Sequence, residues 1–153
     1  GDFIIFSAST SQYKKGYDWT KQYTTFLKQT KTLGLKFILI SPTPTFSGVR
    51  DPKYTCQEEW YRPSWAISPP EFCLKQVSKS EWYASNNEII TLIQKFLLAN
   101  PKVSYFDAFS ILCPESYCKN YDQRSLLYKD KSHLTSYGAM KLSNAIETFI
   151  LSK

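Results

Sequence analysis

Lys36-Phe37-Ile38-Leu39-Ile40-Ser41 is a strand-length run whose four inner residues are all apolar. In an extended chain successive side chains point to opposite faces, so both faces of this strand must be kept from water. A parallel sheet covered by helices meets that demand, whereas a strand with one wet face would alternate. Working back from it, Trp19, Tyr23, Phe26, Leu27 and Leu33 recur at the 3.6-residue period of a helix. Asp18 stands at the N-cap of that helix and Gly34 supplies its stop. Before it, Asp2-Phe3-Ile4-Ile5-Phe6 is a second, almost continuous apolar run. Strand, helix and strand in this order read as a right-handed parallel crossover, and the expected class is α/β.

Downstream, Pro42-Thr43-Pro44-Thr45-Phe46 ends the strand abruptly. From about residue 51 to 77 the periodicity disappears among prolines, Trp60, Tyr61 and Trp65. A connection this long inside a compact domain is usually functional or stapled, so it reads as a pinned insertion. Its aromatic rings could stack on sugars or form a small core of their own. Ser80 to Asn100 then reads as a long helix with Trp82, Ile89, Ile90, Ile93, Phe96 and Leu97 on one face, closed by Asn100-Pro101. Val103-Ser104-Tyr105-Phe106 is a third strand ending at Asp107, either a second active-site carboxylate or a binder of backbone amides in the next turn. A closing helix carries Ala139, Leu142, Ile146, Phe149 and Ile150 on its expected buried side. A length of 153 residues without internal repeat or linker fits one domain, 1–153.

The net charge of +6 permits attraction to anionic surfaces, but the lysines are scattered over the polar faces of the expected helices. No RNA-binding signature or basic helix accompanies the many tyrosines and tryptophans, so nucleic acid is not an expected partner. No apolar run is long enough to span a bilayer, and no charged-then-apolar leader opens the chain. The start at Gly1-Asp2, directly before an apolar strand, is read as a portion of something longer. The four cysteines form two local groups, Cys56 with Cys73 and Cys113 with Cys118. Neither is C-x-x-C and a single histidine is present, which argues against zinc. Two disulfides, each closing a turn-rich loop, fit better and imply an extracytoplasmic address.

That one histidine, His133, stands in Asp130-Lys131-Ser132-His133-Leu134-Thr135-Ser136-Tyr137-Gly138-Ala139. Imidazole can take and return a proton near neutral pH. A carboxylate on one ring nitrogen fixes the tautomer and stabilises the imidazolium formed in general-base catalysis. The spacing lets Asp130 and His133 emerge from one short loop, with Thr135 or Ser136 capping the helix that follows. From spacing alone, a surface histidine at a helix start is the plainer reading.

The wording Asp-x-x-His-Leu-Thr-x-x-Gly-Ala resembles the last block of the SGNH (GDSL-type) hydrolases, and more narrowly the SGNH domains fused behind acyltransferase-3 membrane domains. Ile111-Leu112-Cys113-Pro114-x-x-x-Cys118 resembles the cysteine pair that precedes that block in the same domains. The resemblance implies a flavodoxin-like three-layer α/β/α fold with a parallel sheet. It also implies that His133 is the general base, that Asp130 orients it, and that no cofactor or metal is needed. The implied partners are a polysaccharide or glycan acceptor and an acyl donor delivered by a fused or associated membrane acyltransferase domain. The implied activity is O-acetyl transfer; a secreted carbohydrate esterase and a glycan-binding module without chemistry are the alternatives.

Two departures stand out. Ser9-Thr10 occupy the place where Arg-Trp often occur, at the loop expected to help stabilise the oxyanion. Ser9 ends a strand, either as a nucleophile candidate facing the crevice or as a small polar terminus. No Gly-Asp-Ser, the family's nucleophile motif, occurs in the chain. In the resembled fold that motif follows a strand inside the sheet, so the serine and a first strand are expected upstream of Gly1.

Overall fold

The computed structural model describes residues 2–7, 18–46, 73–122 and 125–152. In chain order the described elements begin with β1 (Phe3–Phe6), α1 (Trp19–Gln29), a 3₁₀ turn (Lys31–Leu33) and β2 (Lys36–Ile40). They continue with β3 (Gln76–Ser78), α2 (Lys79–Ala99), β4 (Val103–Phe106), α3 (Ala108–Leu112) and β5 (Tyr117–Lys119). The last are β6 (Tyr121–Asp122), β7 (Ser125–Leu126) and α4 (Ser136–Leu151). Two compact units are formed, Gly1–Thr43 with Tyr83–Ala108, and Pro44–Trp82 with Phe109–Lys153.

The first unit is built on a parallel sheet of order β1-β2-β4, with Phe37 of β2 opposite both Ile4 and Val103. The central place of β2 accounts for its apolar run: Ile38 and Leu39 are both 0% exposed. Mixed α/β structure around a parallel sheet agrees with the flavodoxin-like class expected from the sequence.

Asp18 caps α1 as read, its Oδ1 accepting the Lys21 N–H at 3.0 Å, and Gly34 takes the left-handed conformation, φ 67°, that ends the 3₁₀ turn. Trp19 of α1 and Ile89, Ile93 and Phe96 of α2 bury against Phe6, Phe37, Leu39 and Val103 of the sheet. Phe6 stacks on Tyr23 at 4.2 Å, and Trp19 meets Phe96 at 5.3 Å between ring centroids. Full burial of such a side chain contributes roughly 1.5–3 kcal/mol, so this aromatic cluster is the main adhesive of the unit. The Asn100 Nδ2 donates to the Phe96 carbonyl at 2.8 Å and closes α2 where the Asn-Pro step ends it. Among the described residues β1 pairs with β2 alone, leaving its other edge open, and Ile5 is 45% exposed.

The second unit is held by small ladders and by polar ties. β3 pairs antiparallel with β5, and β6 with β7. Gln76 and Val77, read as the end of the aperiodic stretch, thus belong to a strand. Asn120, almost wholly buried, joins three segments: its Oδ1 accepts from Lys75 N–H at 2.7 Å and its Nδ2 donates to the Cys73 carbonyl at 2.9 Å. Its backbone carbonyl accepts from Leu127 N–H at 2.8 Å. Buried amides are stabilising only when satisfied in this way. Trp82 packs on Phe109 at 4.2 Å, and Lys79 lies over the same Phe109 ring while donating to the Cys113 carbonyl at 3.0 Å. In α4, Leu142, Ile146, Phe149 and Ile150 are half-buried as expected, but Ala139 is exposed. The helix turns its buried Gly138 inward at that level instead.

Cys113 and Cys118 are bonded to each other across five positions. Closing so short a loop is worth about 2 kcal/mol on the chain-entropy account. Replacing both by serine is therefore expected to lower unfolding stability by about 2 kcal/mol, read from denaturant curves. Peptide mapping without reduction should recover the 113–118 bond.

Candidate active site

The loop that carries Asp130 and His133 is tied at its root. Leu127 carbonyl accepts from Thr135 N–H at 3.0 Å, Lys129 N–H donates to the His133 carbonyl at 2.9 Å, and Tyr128 and Leu134 form an antiparallel bridge. It is also propped from the side. The Phe46 N–H donates to the Lys131 carbonyl at 2.9 Å, and the Phe46 ring meets the edge of the buried Tyr128 ring at 4.9 Å. The proline-rich segment after β2 therefore ends in a residue that braces this loop.

Within the loop Asp130 makes three contacts. Its Oδ1 accepts from the backbone N–H of Ser132 at 2.9 Å and of His133 at 2.8 Å. Its Oδ2 lies 2.7 Å from His133 Nδ1. Burial acts to raise the Asp130 carboxyl, but the Ser132 and His133 amides and the His133 ring outweigh it and hold the pKa below the usual carboxylate value. Ionised, this carboxylate can only accept hydrogen bonds, so the Nδ1 facing it carries the proton. The lone pair of neutral His133 is then on Nε2. The His133 side chain is 71% exposed and that of Asp130 29%, so the oriented ring meets solvent while its anchor is shielded. This arrangement can accept a proton at Nε2, hold the resulting imidazolium and return the proton.

The lowered pKa has a consequence for stability. The carboxyl binds its proton less readily in the folded than in the unfolded chain, so folding gains stability above the unfolded carboxylate pKa, about 3.9. That gain is lost as pH falls through the folded value. Thermal melts are expected to show wild type losing its advantage over Asp130→Asn between about pH 5 and the strongly acidic range. An advantage unchanged down that range would mean Asp130 carries no such linkage.

α4 begins directly after the loop. Thr135 caps it, its Oγ1 accepting from Gly138 N–H at 3.1 Å while donating to the Leu126 carbonyl at 2.6 Å. A Cβ at Gly138 would lie 2.3 Å from the Leu127 carbonyl oxygen. Only glycine lets the helix start sit this close to the Leu127 backbone.

The other sequence-derived candidates fall as follows. Ser9, Thr10 and Cys56 lie outside the described residues. Cys73 is buried and disulfide-bonded, and Cys113 and Cys118 are joined. Asp107, in the first unit, is exposed beside Tyr105 and Tyr83. Burial first, and the Asp107 charge second, push the Tyr105 phenol up to about 12. Three supports of the loop were not singled out from sequence: Asn120, Phe46 as a brace, and Gly138 as a point of backbone contact. The Gly-Ala in the block was a visible signal for the last, and the proline-rich segment for the second. A lone Asn120 carried none.

Among the described residues no helix is long and apolar enough to cross a membrane. No curated protein and no solved structure matches the chain. The family model "SGNH domain (fused to AT3 domains)" matches residues 1–148, and thus includes the two parallel-sheet crossovers, the Cys113–Cys118 loop and the Asp130/His133 loop. Coverage of nearly the whole chain settles the assignment: the protein belongs to the SGNH domain family, of the kind fused to AT3 domains.

Proposed function

We propose that this domain transfers an acyl group, acetyl in the simplest case, to a hydroxyl of a cell-surface polysaccharide. Membership of the family supports an acyltransferase- or esterase-like chemistry and an associated AT3 acyltransferase domain. The observation that carries the reading to residues is the 2.7 Å contact between Asp130 Oδ2 and His133 Nδ1 on an otherwise exposed ring. Asp130 is the orienting partner and His133 the general base, and the nucleophilic serine belongs to a Gly-Asp-Ser motif upstream of this chain. Nε2 takes the serine proton as Oγ attacks the acyl carbon, and returns it to the departing donor oxygen or sulfur. The same nitrogen then takes the proton of a glycan hydroxyl as that oxygen attacks the acyl-serine, and gives it back to serine Oγ. The AT3 domain would deliver the donor. The Cys113–Cys118 bond favours an oxidising, extracytoplasmic side of the membrane for this chemistry.

Among the described residues the edge of β1 away from β2 is unpaired, which supports an upstream strand. A cavity of about 670 Å³ lies beside it, lined by Ile4, Phe6, Tyr23 and Phe26 among others. Apolar sheet edges left open are a liability that an added strand removes.

The test compares the 153-residue chain with a chain extended upstream through a Gly-Asp-Ser motif. The short chain is expected to cleave acetyl esters negligibly, and the extended one to cleave them and to acetylate an added glycan. Full activity in the short chain would place the nucleophile within it, with Ser9 the first to substitute. Cleavage by the extended chain with water as the acceptor alone would make it an esterase.

A further inference from the structure

The second unit contains a hollow of about 190 Å³ beside the Cys113–Cys118 loop, separate from the Asp130/His133 contact. Its apolar wall comes from Leu112, Pro114 and Leu127, and its aromatic rim from Tyr117 and Tyr121. Two ion pairs complete it: Lys119 Nζ with Glu115 Oε2 at 2.9 Å, and Lys141 Nζ with Asp122 Oδ2. The Tyr137 hydroxyl also donates to Asp122 Oδ2 at 3.4 Å. We infer that this hollow is a seat for one neutral saccharide ring.

Three properties select that ligand. Among the described residues the lining carries two cations and two anions that already face each other, so these four groups leave no net charge to recruit an ion. A phosphate would meet a carboxylate beside each ammonium group and would have to displace it to pair there. A sugar hydroxyl is donor and acceptor at once, and can enter such a pair by giving its proton to the carboxylate and accepting from the ammonium group. The apolar wall and tyrosine rings then suit the C–H face of a pyranose. Tyr117 is 51% exposed, so its ring is reachable from solvent. Size is the third property, because drug-sized ligands occupy roughly 300–1,000 Å³ and this hollow is smaller, admitting one ring rather than a buried oligomer.

The seat is linked to the candidate active site through Leu127. Its side of the hollow continues into the backbone carbonyl that accepts from Thr135 N–H at 3.0 Å, the root of the His133 loop. A ring held here lies against the base of the loop that presents Nε2. Identifying that ring as part of the acceptor rests on the acyl-transfer reading; the seat itself does not.

The test is a titration of the intact protein by ¹H–¹⁵N NMR with methyl glucoside, N-acetylglucosamine, glucuronate, inorganic phosphate and glycine. The two neutral sugars are expected to bind with Kd in the millimolar range and to shift the amides of Tyr117, Tyr121 and Leu127. Tyr117→Ala and Asp122→Asn are expected to weaken binding by about tenfold or more, with folding checked in the same spectra. Glu115→Gln serves as a second carboxylate probe on the other pair, with the same expected direction. In the chain extended through a Gly-Asp-Ser motif, His133→Ala should bind the sugars as wild type does while losing acetyl-ester cleavage, so the seat and the catalytic reading fail separately. Absence of any shift by neutral sugars, stronger binding of phosphate, glucuronate or glycine, or unchanged binding in all three hollow variants would overturn the assignment.

Discussion

In a chain extended upstream through a Gly-Asp-Ser motif, His133→Ala is expected to lower kcat for acetyl-ester cleavage by about ten-thousandfold. The size follows from what is removed. Without Nε2 the nucleophilic hydroxyl keeps its proton, and what survives is binding and oxyanion stabilisation. The fold should hardly notice. The ring is 71% exposed, and the loop's ties through the His133 carbonyl and N–H are backbone bonds that alanine retains. Asp130→Asn is expected to cost a comparable factor for another reason. An amide can keep the two backbone N–H bonds to Oδ1, but its NH₂ group, facing Nδ1, would hold the ring in the wrong tautomer. An esterase assay on the extended wild type and both variants, with melting curves alongside, checks this. Activity unchanged in His133→Ala would remove the base from the proposal.

Gly138→Ala carries the second large expected effect, on stability and activity together. Taken alone, alanine in a helix is favoured over glycine by about 1 kcal/mol. Here the new Cβ would stand 2.3 Å from the Leu127 carbonyl oxygen, 3.1 Å from its carbon and 3.2 Å from its Cα. These are backbone atoms in a buried segment, with no side chain to swing aside. Overpacking typically costs about 1–3 kcal/mol, and a rigid obstacle puts this site at the upper end, so the clash outweighs the propensity. A net loss of about 2 kcal/mol should lower Tm by roughly 4–8 °C in a domain of this size. Relief requires α4 to retreat from Leu127, which loosens the Thr135 bonds to Leu127 and Leu126. The His133 loop hangs from those bonds, so activity should fall more than the loss of folded protein explains. Calorimetry and the same esterase assay decide it; a more stable and fully active alanine variant would mean the helix start shifts without cost.

What was legible in the sequence is what neighbours along the chain decide among themselves. Four apolar residues in succession, Phe37 to Ile40, require cover on both faces, and β2 lies between β1 and β4. Asp18 and Thr135 cap the helices they precede because a cap needs only the next three residues. The Asp130–His133 contact spans three positions and closes inside one loop, so spacing made it possible and the resemblance of the whole block singled it out. Tertiary structure decided the parts whose partners are far away in sequence. Asn120 reaches back 45 and 47 positions to Lys75 and Cys73, and nothing beside it announces that burial. Phe46 braces Lys131, and β3 finds β5, only once the chain has folded. Ala139 fits the apolar stripe of its helix yet is exposed, while the buried place at that level belongs to Gly138, packed on Leu127. Periodicity specifies which side of a helix is apolar, but how closely another backbone approaches that side is set by the packing of the whole unit.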